Sequence, residues 1–83
     1  MRFDLALSEL RLFKSRSAAS VAIQDGAALL NGSVVKPSHG VKPGDRVTLV
    51  LPAARRTLEV LDLPRAGLSR NAARCLLREV VKE

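Results

Sequence analysis

The sequence predicts an α+β fold: an αα-hairpin packed on a small twisted antiparallel sheet, with a C-terminal helix. Three local patterns carry that prediction. Ser15 can cap a helix by accepting from free backbone N–H groups, and Asp25-Gly26 can end it in a left-handed turn. Asn31-Gly32 is the favoured sequence for a two-residue hairpin turn, because both residues tolerate positive φ. Ala73, Leu76, Leu77 and Val80 recur at the spacing of one helix face.

Taken in order, Asp4 to about Phe13 reads as a first helix, with Leu5, Leu7, Leu10 and Leu12 supplying apolar contacts. A second runs from Arg16 to Asp25 and turns Ala19, Ala22 and Ile23 toward the first. Small residues there allow the close approach that a tight helical hairpin needs. Strand-like segments follow at Ala28–Leu30, Ser33–Val35 and Arg46–Leu51, the last with Val47, Leu49 and Leu51 in alternation. Pro52-Ala53-Ala54 makes a turn. Thr57–Leu63 is read as the last strand, its alternation slipping between Val60 and Leu61. The final helix is placed at about 70–82 with Ser69 as its cap. Along a neighbouring face Arg70, Arg74, Arg78 and Lys82 recur every fourth residue, either as a solvated face offset by Glu79 and Glu83 or as an RNA-contacting ridge. No repeat or linker interrupts the chain, so residues 1–83 form one domain with its core motif at 11–51.

Composition narrows the function classes. At 83 residues the core is modest, and 47% hydrophobic content is too apolar for a disordered basic arm. A formal charge of +6 favours polyanions, meaning RNA or, less specifically, an anionic membrane surface. One cysteine allows no intrachain disulfide, and Cys75 has no nearby base to make it a nucleophile. The N-terminus lacks a signal-like apolar run, no stretch is long enough to span a bilayer, and a cytoplasmic protein is expected. A lone histidine and no cysteine cluster argue against a metal site, and nothing calls for a cofactor.

The candidate binding residues are cations and small donors at the edges of ordered elements. Lys14 and Arg16 flank Ser15 at the start of the second helix, backed by Arg11; free N–H groups and the helix dipole add to their charge there. Pro37 holds Lys36 extended, and Ser38 and His39 can donate to phosphate or ribose oxygens. Asn31 is mainly a hairpin residue, Asp45 caps the Pro43-Gly44-Asp45 turn, and Lys42 stands beside it.

These residues also carry a resemblance. The order R-L-F-K-S-R-S-A-A, I-Q-D-G, N-G-S-V-V-K-P-S, V-K-P-G-D from Arg11 to Asp45 resembles the S-four RNA-binding domain, named after ribosomal small-subunit protein four. The opening R-F-D and the late L-P-R-A-G-L-S-R-N-A-A-R-C-L-L-R-E are similar to its small stand-alone bacterial branch, the heat-shock-type ribosome-associated proteins. The resemblance implies that the second-helix start, the Asn31 turn and the 36–39 loop face RNA, which makes Arg11, Lys14, Ser15, Arg16, Asn31, Lys36, Ser38, His39 and Lys42 the expected RNA-binding set. The chain departs from the pattern at Leu5, Ser20, Ala27 and Leu29, which stand where basic residues are common, and at Leu77, where a tyrosine is usual. With no tyrosine or tryptophan, and with Phe3 and Phe13 expected in the core, recognition should rest on phosphate and shape.

The leading expectation is a non-enzymatic protein that binds structured RNA. By resemblance this is ribosomal RNA of the large subunit, with a retained peptidyl-tRNA, and a monomer is expected. Two other classes remain open. Similar domains target RNA-modifying enzymes, although 83 residues leave no room for their catalytic domains and hold no phosphate loop or acid–base pair. A basic module for a protein or membrane surface would rest on the 70–82 helix, which lacks the bulky apolar face of an interfacial anchor.

Overall fold

The computed structural model describes residues 1–65 and 67–80. Helices α1 (Phe3–Glu9) and α2 (Arg16–Gln24) precede strands β1 (Ala28–Leu30), β2 (Arg46–Val50) and β3 (Arg55–Val60); helix α3 (Arg70–Cys75) and strand β4 (Leu77–Val80) follow. The four strands form one antiparallel sheet in the order β1-β2-β3-β4. Its register aligns Leu30 with Val47 and Val47 with Leu58, so the period-two pattern delivers a continuous apolar face. Phe3, Leu7, Ile23, Val47 and Val60 are its largest fully buried side chains, joined by Ala6 and Ala19 where α1 meets α2.

Both helices of the hairpin end in the same six-residue closure. After α2, the Gly26 N–H donates to the Ile23 carbonyl and the Ala27 N–H to the Ala22 carbonyl, with Gly26 at φ 78°. After α1, the Arg11 N–H donates to Ser8 and the Leu12 N–H to Leu7, with Arg11 at φ 63°. This is a Schellman closure, normally built on glycine because a side chain crowds the left-handed backbone. An arginine in that position is held from outside. The Arg11 guanidinium donates through Nε and Nη2 to the Leu68 carbonyl, at 3.2 and 2.8 Å. That closure also explains why α1 stops at Glu9 rather than running to Phe13.

Three further expectations need correction. Asn31 and Gly32 do form the hairpin turn, at φ 52° and 82°, with Leu30 and Ser33 exchanging two backbone bonds of 3.0 Å. No strand continues over 33–35, however. The chain leaves the sheet and wraps across the start of α1, where the Pro37 and His39 carbonyls accept from the Asp4 and Phe3 N–H groups, at 3.1 and 2.8 Å. Those donors have no intrahelical partner, and Pro37 could not have continued a ladder as a donor.

The strand read as 57–63 spans Arg55–Val60 and is not the last. The helix read as 70–82 covers only Arg70–Cys75, capped as expected by Ser69, whose Oγ accepts from the Ala72 N–H. Beyond Leu76 the chain pairs with the free edge of β3 as β4. Alternation and edge pairing override a helical period here: Leu77 faces Val60, Arg78 bonds Glu59 and Glu79 bonds Arg56. Lys82 lies outside the described residues.

A Cβ added at Gly26 would touch only Val34 Cγ2, at 3.9 Å, so space is not limiting. Gly26→Ala should therefore lose about 1 kcal/mol from backbone strain alone. Thermal melts should show a fall of several degrees; an unchanged midpoint would contradict the left-handed closure.

Candidate nucleic-acid interface

At the start of α2, the Ser15 Oγ accepts from the Ala18 N–H at 3.1 Å, and Ser15 is extended, as a cap requires. Its hydroxyl proton stays available to an external acceptor. Lys14 and Ser17 are exposed beside it. Arg16 is anchored: its Nε lies 3.3 Å from Asp4 Oδ2, on the first turn of α1. The same carboxylate takes Arg2 Nε and Nη2, both at 3.1 Å, and the Leu5 N–H at 2.7 Å. Asp4 is buried, whereas Arg2 and Arg16 remain half-exposed, at 49% and 50%. One hidden anion thus fixes two guanidinium groups whose outer N–H donors face solvent.

The wrapping loop brings its own donors to the same junction. Arg2 bridges Gly40, and the Val41 N–H donates to the Met1 carbonyl at 2.8 Å. Through Asp4, whose N–H bonds Pro37 while its carboxylate bonds Arg16, the loop and the α2 start are connected directly. Lys36, Ser38, His39 and Lys42 are all exposed along this loop. Asn31 does something else. Its Oδ1 accepts from the Arg46 N–H at 2.9 Å and its Nδ2 donates to Asp45 Oδ1 at 3.3 Å, while Asp45 Oδ2 accepts from the Lys42 N–H at 3.1 Å. Asn31 and Asp45 lock the two ends of the loop together.

Sequence reasoning left Arg2 out of the binding set. The Arg-x-Asp spacing at positions 2 and 4 was the available signal, and its weight appears only when Arg16 closes on the same carboxylate. The four-residue arginine series also separates. Arg70 and Arg74 lie on α3 and Arg78 on β4 against Glu59, so no single ridge exists. The six-residue α3 likewise removes the long basic helix on which a membrane- or protein-surface module would have rested. Among the described residues no helix is long and apolar enough to cross a membrane.

The S4 domain family model matches residues 1–47. The chain belongs to the S4 domain family. Two proteins called RQC P-site tRNA stabilizing factor are similar to it. The one from Bacillus subtilis (strain 168) is 36% identical over 63 residues, covering 76% of this chain and 73% of that protein. The one from Helicobacter pylori (strain J99 / ATCC 700824) is 38% identical over 64 residues, covering 77% and 76%. An uncharacterized RNA pseudouridine synthase, YlyB of Bacillus subtilis (strain 168), is 35% identical over 63 residues, but the chain spans only 20% of its length. Among solved structures, Vibrio cholerae Heat Shock Protein 15, described as trimeric, superposes with a TM-score of 0.88 at 29% identity, over 96% of this chain and 81% of that one. The solution structure of the hypothetical protein HP1423 superposes at 0.82 with 31% identity over the full length of both.

Burial alone would raise the Asp4 carboxyl, but the bonds from Arg2, the Leu5 N–H and Arg16 outweigh it and hold its pKa below the ordinary aspartate value. A depressed native pKa means that the unfolded chain takes up the proton first as pH falls. The stabilisation from Asp4 is therefore complete above about pH 4 and is lost as acid brings pH down through the lower native value. Asp4→Asn should cost about 1–2 kcal/mol at pH 7, since both arginines are half-exposed. Denaturant midpoints should show that gap narrowing toward pH 3; a gap independent of pH would remove the carboxylate's charge from the explanation.

Proposed function

We propose that this S4 domain is a non-enzymatic RNA-binding unit that docks on structured ribosomal RNA of the large subunit, beside a retained peptidyl-tRNA, as a single copy in the cytoplasm. The observation that carries the reading is the Asp4 junction, which places two fixed guanidinium groups, a capped helix start and a donor-bearing loop on one surface. Lys14, Ser15 and Arg16 contact phosphates at the α2 start, Arg2 joins them, and Lys36, Ser38, His39 and Lys42 extend the contact along the loop. Arg11 and Asn31 belong to the same surface chiefly as residues that hold its edges. Affinity then comes from neutralised phosphates, and register from rigid backbone. The likeness to two P-site tRNA stabilizing factors supports the ribosomal setting.

The mechanism is passive. A preformed cationic surface favours whichever ribosomal state presents RNA backbones at matching separation, and it shifts the equilibrium by its difference in affinity between states. The pseudouridine synthase relative favours a second reading, a targeting module that delivers modification chemistry. Pseudouridine formation on ribosomal RNA that needs a separate synthase bound to this chain would support that reading, and formation by the purified chain alone would overturn the non-enzymatic one.

Two measurements test the proposal. Affinity for structured ribosomal RNA should fall with salt, with a log–log slope on the order of −3 to −6 for roughly four to eight phosphate contacts. A flat dependence would sink the electrostatic mechanism. Lys14→Ala with Arg16→Ala should weaken that binding more than Arg55→Ala with Arg65→Ala, which removes the same formal charge from exposed positions elsewhere. Equal losses with unchanged melting would mean that net charge, not this surface, is responsible. Co-sedimentation with large subunits should follow the same order.

A further inference from the structure

An open cleft of about 780 Å³ separates the turn after α1 from α3 and the β3–β4 edge. Its floor is apolar, made by Phe13, Leu58 and Leu77. Its rims carry Lys14 on one side and Arg70 and Arg74 on the other. Glu79, the one carboxylate among its described lining residues, is taken by Arg56 Nε and Nη2 at 2.9 and 2.6 Å. The Arg11–Leu68 clamp ties the two walls together. Lys14, Arg70 and Arg74 have no carboxylate partner among the described residues.

We propose that this cleft is a second nucleic-acid site, which takes an unpaired RNA segment with a base laid on the Phe13 floor and its flanking phosphates over Lys14 and the α3 arginines. The charge pattern selects this occupant. A duplex offers phosphates but no free base face for an apolar floor, whereas a single strand offers both. Phe13 is half-buried rather than enclosed, unlike Phe3, which has no exposed surface. Of the two phenylalanine rings, Phe13 is the one that keeps accessible surface, and it stands between cationic rims. Such a platform tolerates any base, because stacking reads the ring face and not its hydrogen-bonding edge. Lys14 belongs to both surfaces, so a structured element on the Asp4 junction and an unpaired strand in the cleft would meet along the 11–16 turn. The inference extends the RNA-binding reading to a second substrate form.

The test compares two labelled probes by fluorescence anisotropy: octa-uridylate and a stable RNA hairpin. Arg70→Ala with Arg74→Ala, which leaves the Ser69 cap intact, should weaken octa-uridylate binding about tenfold or more. It should also reduce the magnitude of its salt slope by roughly 1.4, two phosphates on a single strand. Phe13→Leu keeps the apolar fill but loses the ring; it should weaken octa-uridylate binding about tenfold and leave the salt slope unchanged. Hairpin binding should stay within about threefold in both variants, and melting curves should match the parent. Equal loss of both probes, or no loss of octa-uridylate affinity, would overturn the cleft. So would Arg70- and Arg74-dependent binding of a deca-glutamate peptide in place of octa-uridylate, which would make the occupant an acidic peptide. The two readings fail separately: hairpin affinity reports on the Asp4 junction, and octa-uridylate affinity reports on the cleft.

Discussion

A carboxylate buried at the first turn of a helix is costly unless it is fully bonded, and Asp4 is bonded on every side it shows. Its two oxygens receive two arginines and a backbone N–H, and its own N–H reaches Pro37. Through it α1, α2 and the 36–41 loop become one body. Neither arginine could be held as firmly by another exposed side chain, since a solvent-exposed pair gains little over two separately hydrated charges. Placing the anion inside and the cations at the boundary fixes their geometry and leaves positive potential outward. That arrangement is what the proposed phosphate-binding surface requires.

The left-handed residue at the end of α1 plays the corresponding part for the cleft. Arg11 bears a conformation that glycine would adopt freely, and the external bond to Leu68 accounts for the arginine. Were position 11 a glycine, the turn would close equally well but nothing would draw the segment before α3 toward it. Local strain of about 1–2 kcal/mol is exchanged for a tertiary link. The same exchange is absent after α2, where Gly26 adopts the left-handed conformation without a side chain to crowd it.

How much of this could be read from the chain depended on the range of the interaction. The α2 cap, its glycine stop and the Asn31-Gly32 turn are decided within four residues, and β1 was placed residue for residue. The exposed, cation-flanked character of the α2 start was legible for the same reason. Segments whose state depends on distant partners were misread. Residues 33–35 looked strand-like, but the chain leaves the sheet there and carries the Pro37 and His39 carbonyls to free donors of α1. Residues 77–80 fitted a helical stripe, but the free edge of β3 and two cross-strand ion pairs gave them a better alternative. Arg2 escaped notice because its value arises from sharing Asp4 with Arg16, fourteen positions away.

Those misreadings bear on function as well as on fold. While 70–82 stood as one helix, its arginines formed a continuous ridge with no pocket, an unspecific counterpart to the α2 start. Breaking it at Leu76 sends Arg78 to Glu59 on the far strand face and leaves Arg70 and Arg74 opposite Lys14 across an apolar floor. Equal formal charges thereby acquire unequal roles. Arg78 is neutralised within the sheet, whereas Arg70 and Arg74 become one wall of a groove whose other wall is set by Arg11. A count of cations cannot distinguish these cases, because the distinction lies in which charges the fold pairs with its own carboxylates and which it leaves facing outward.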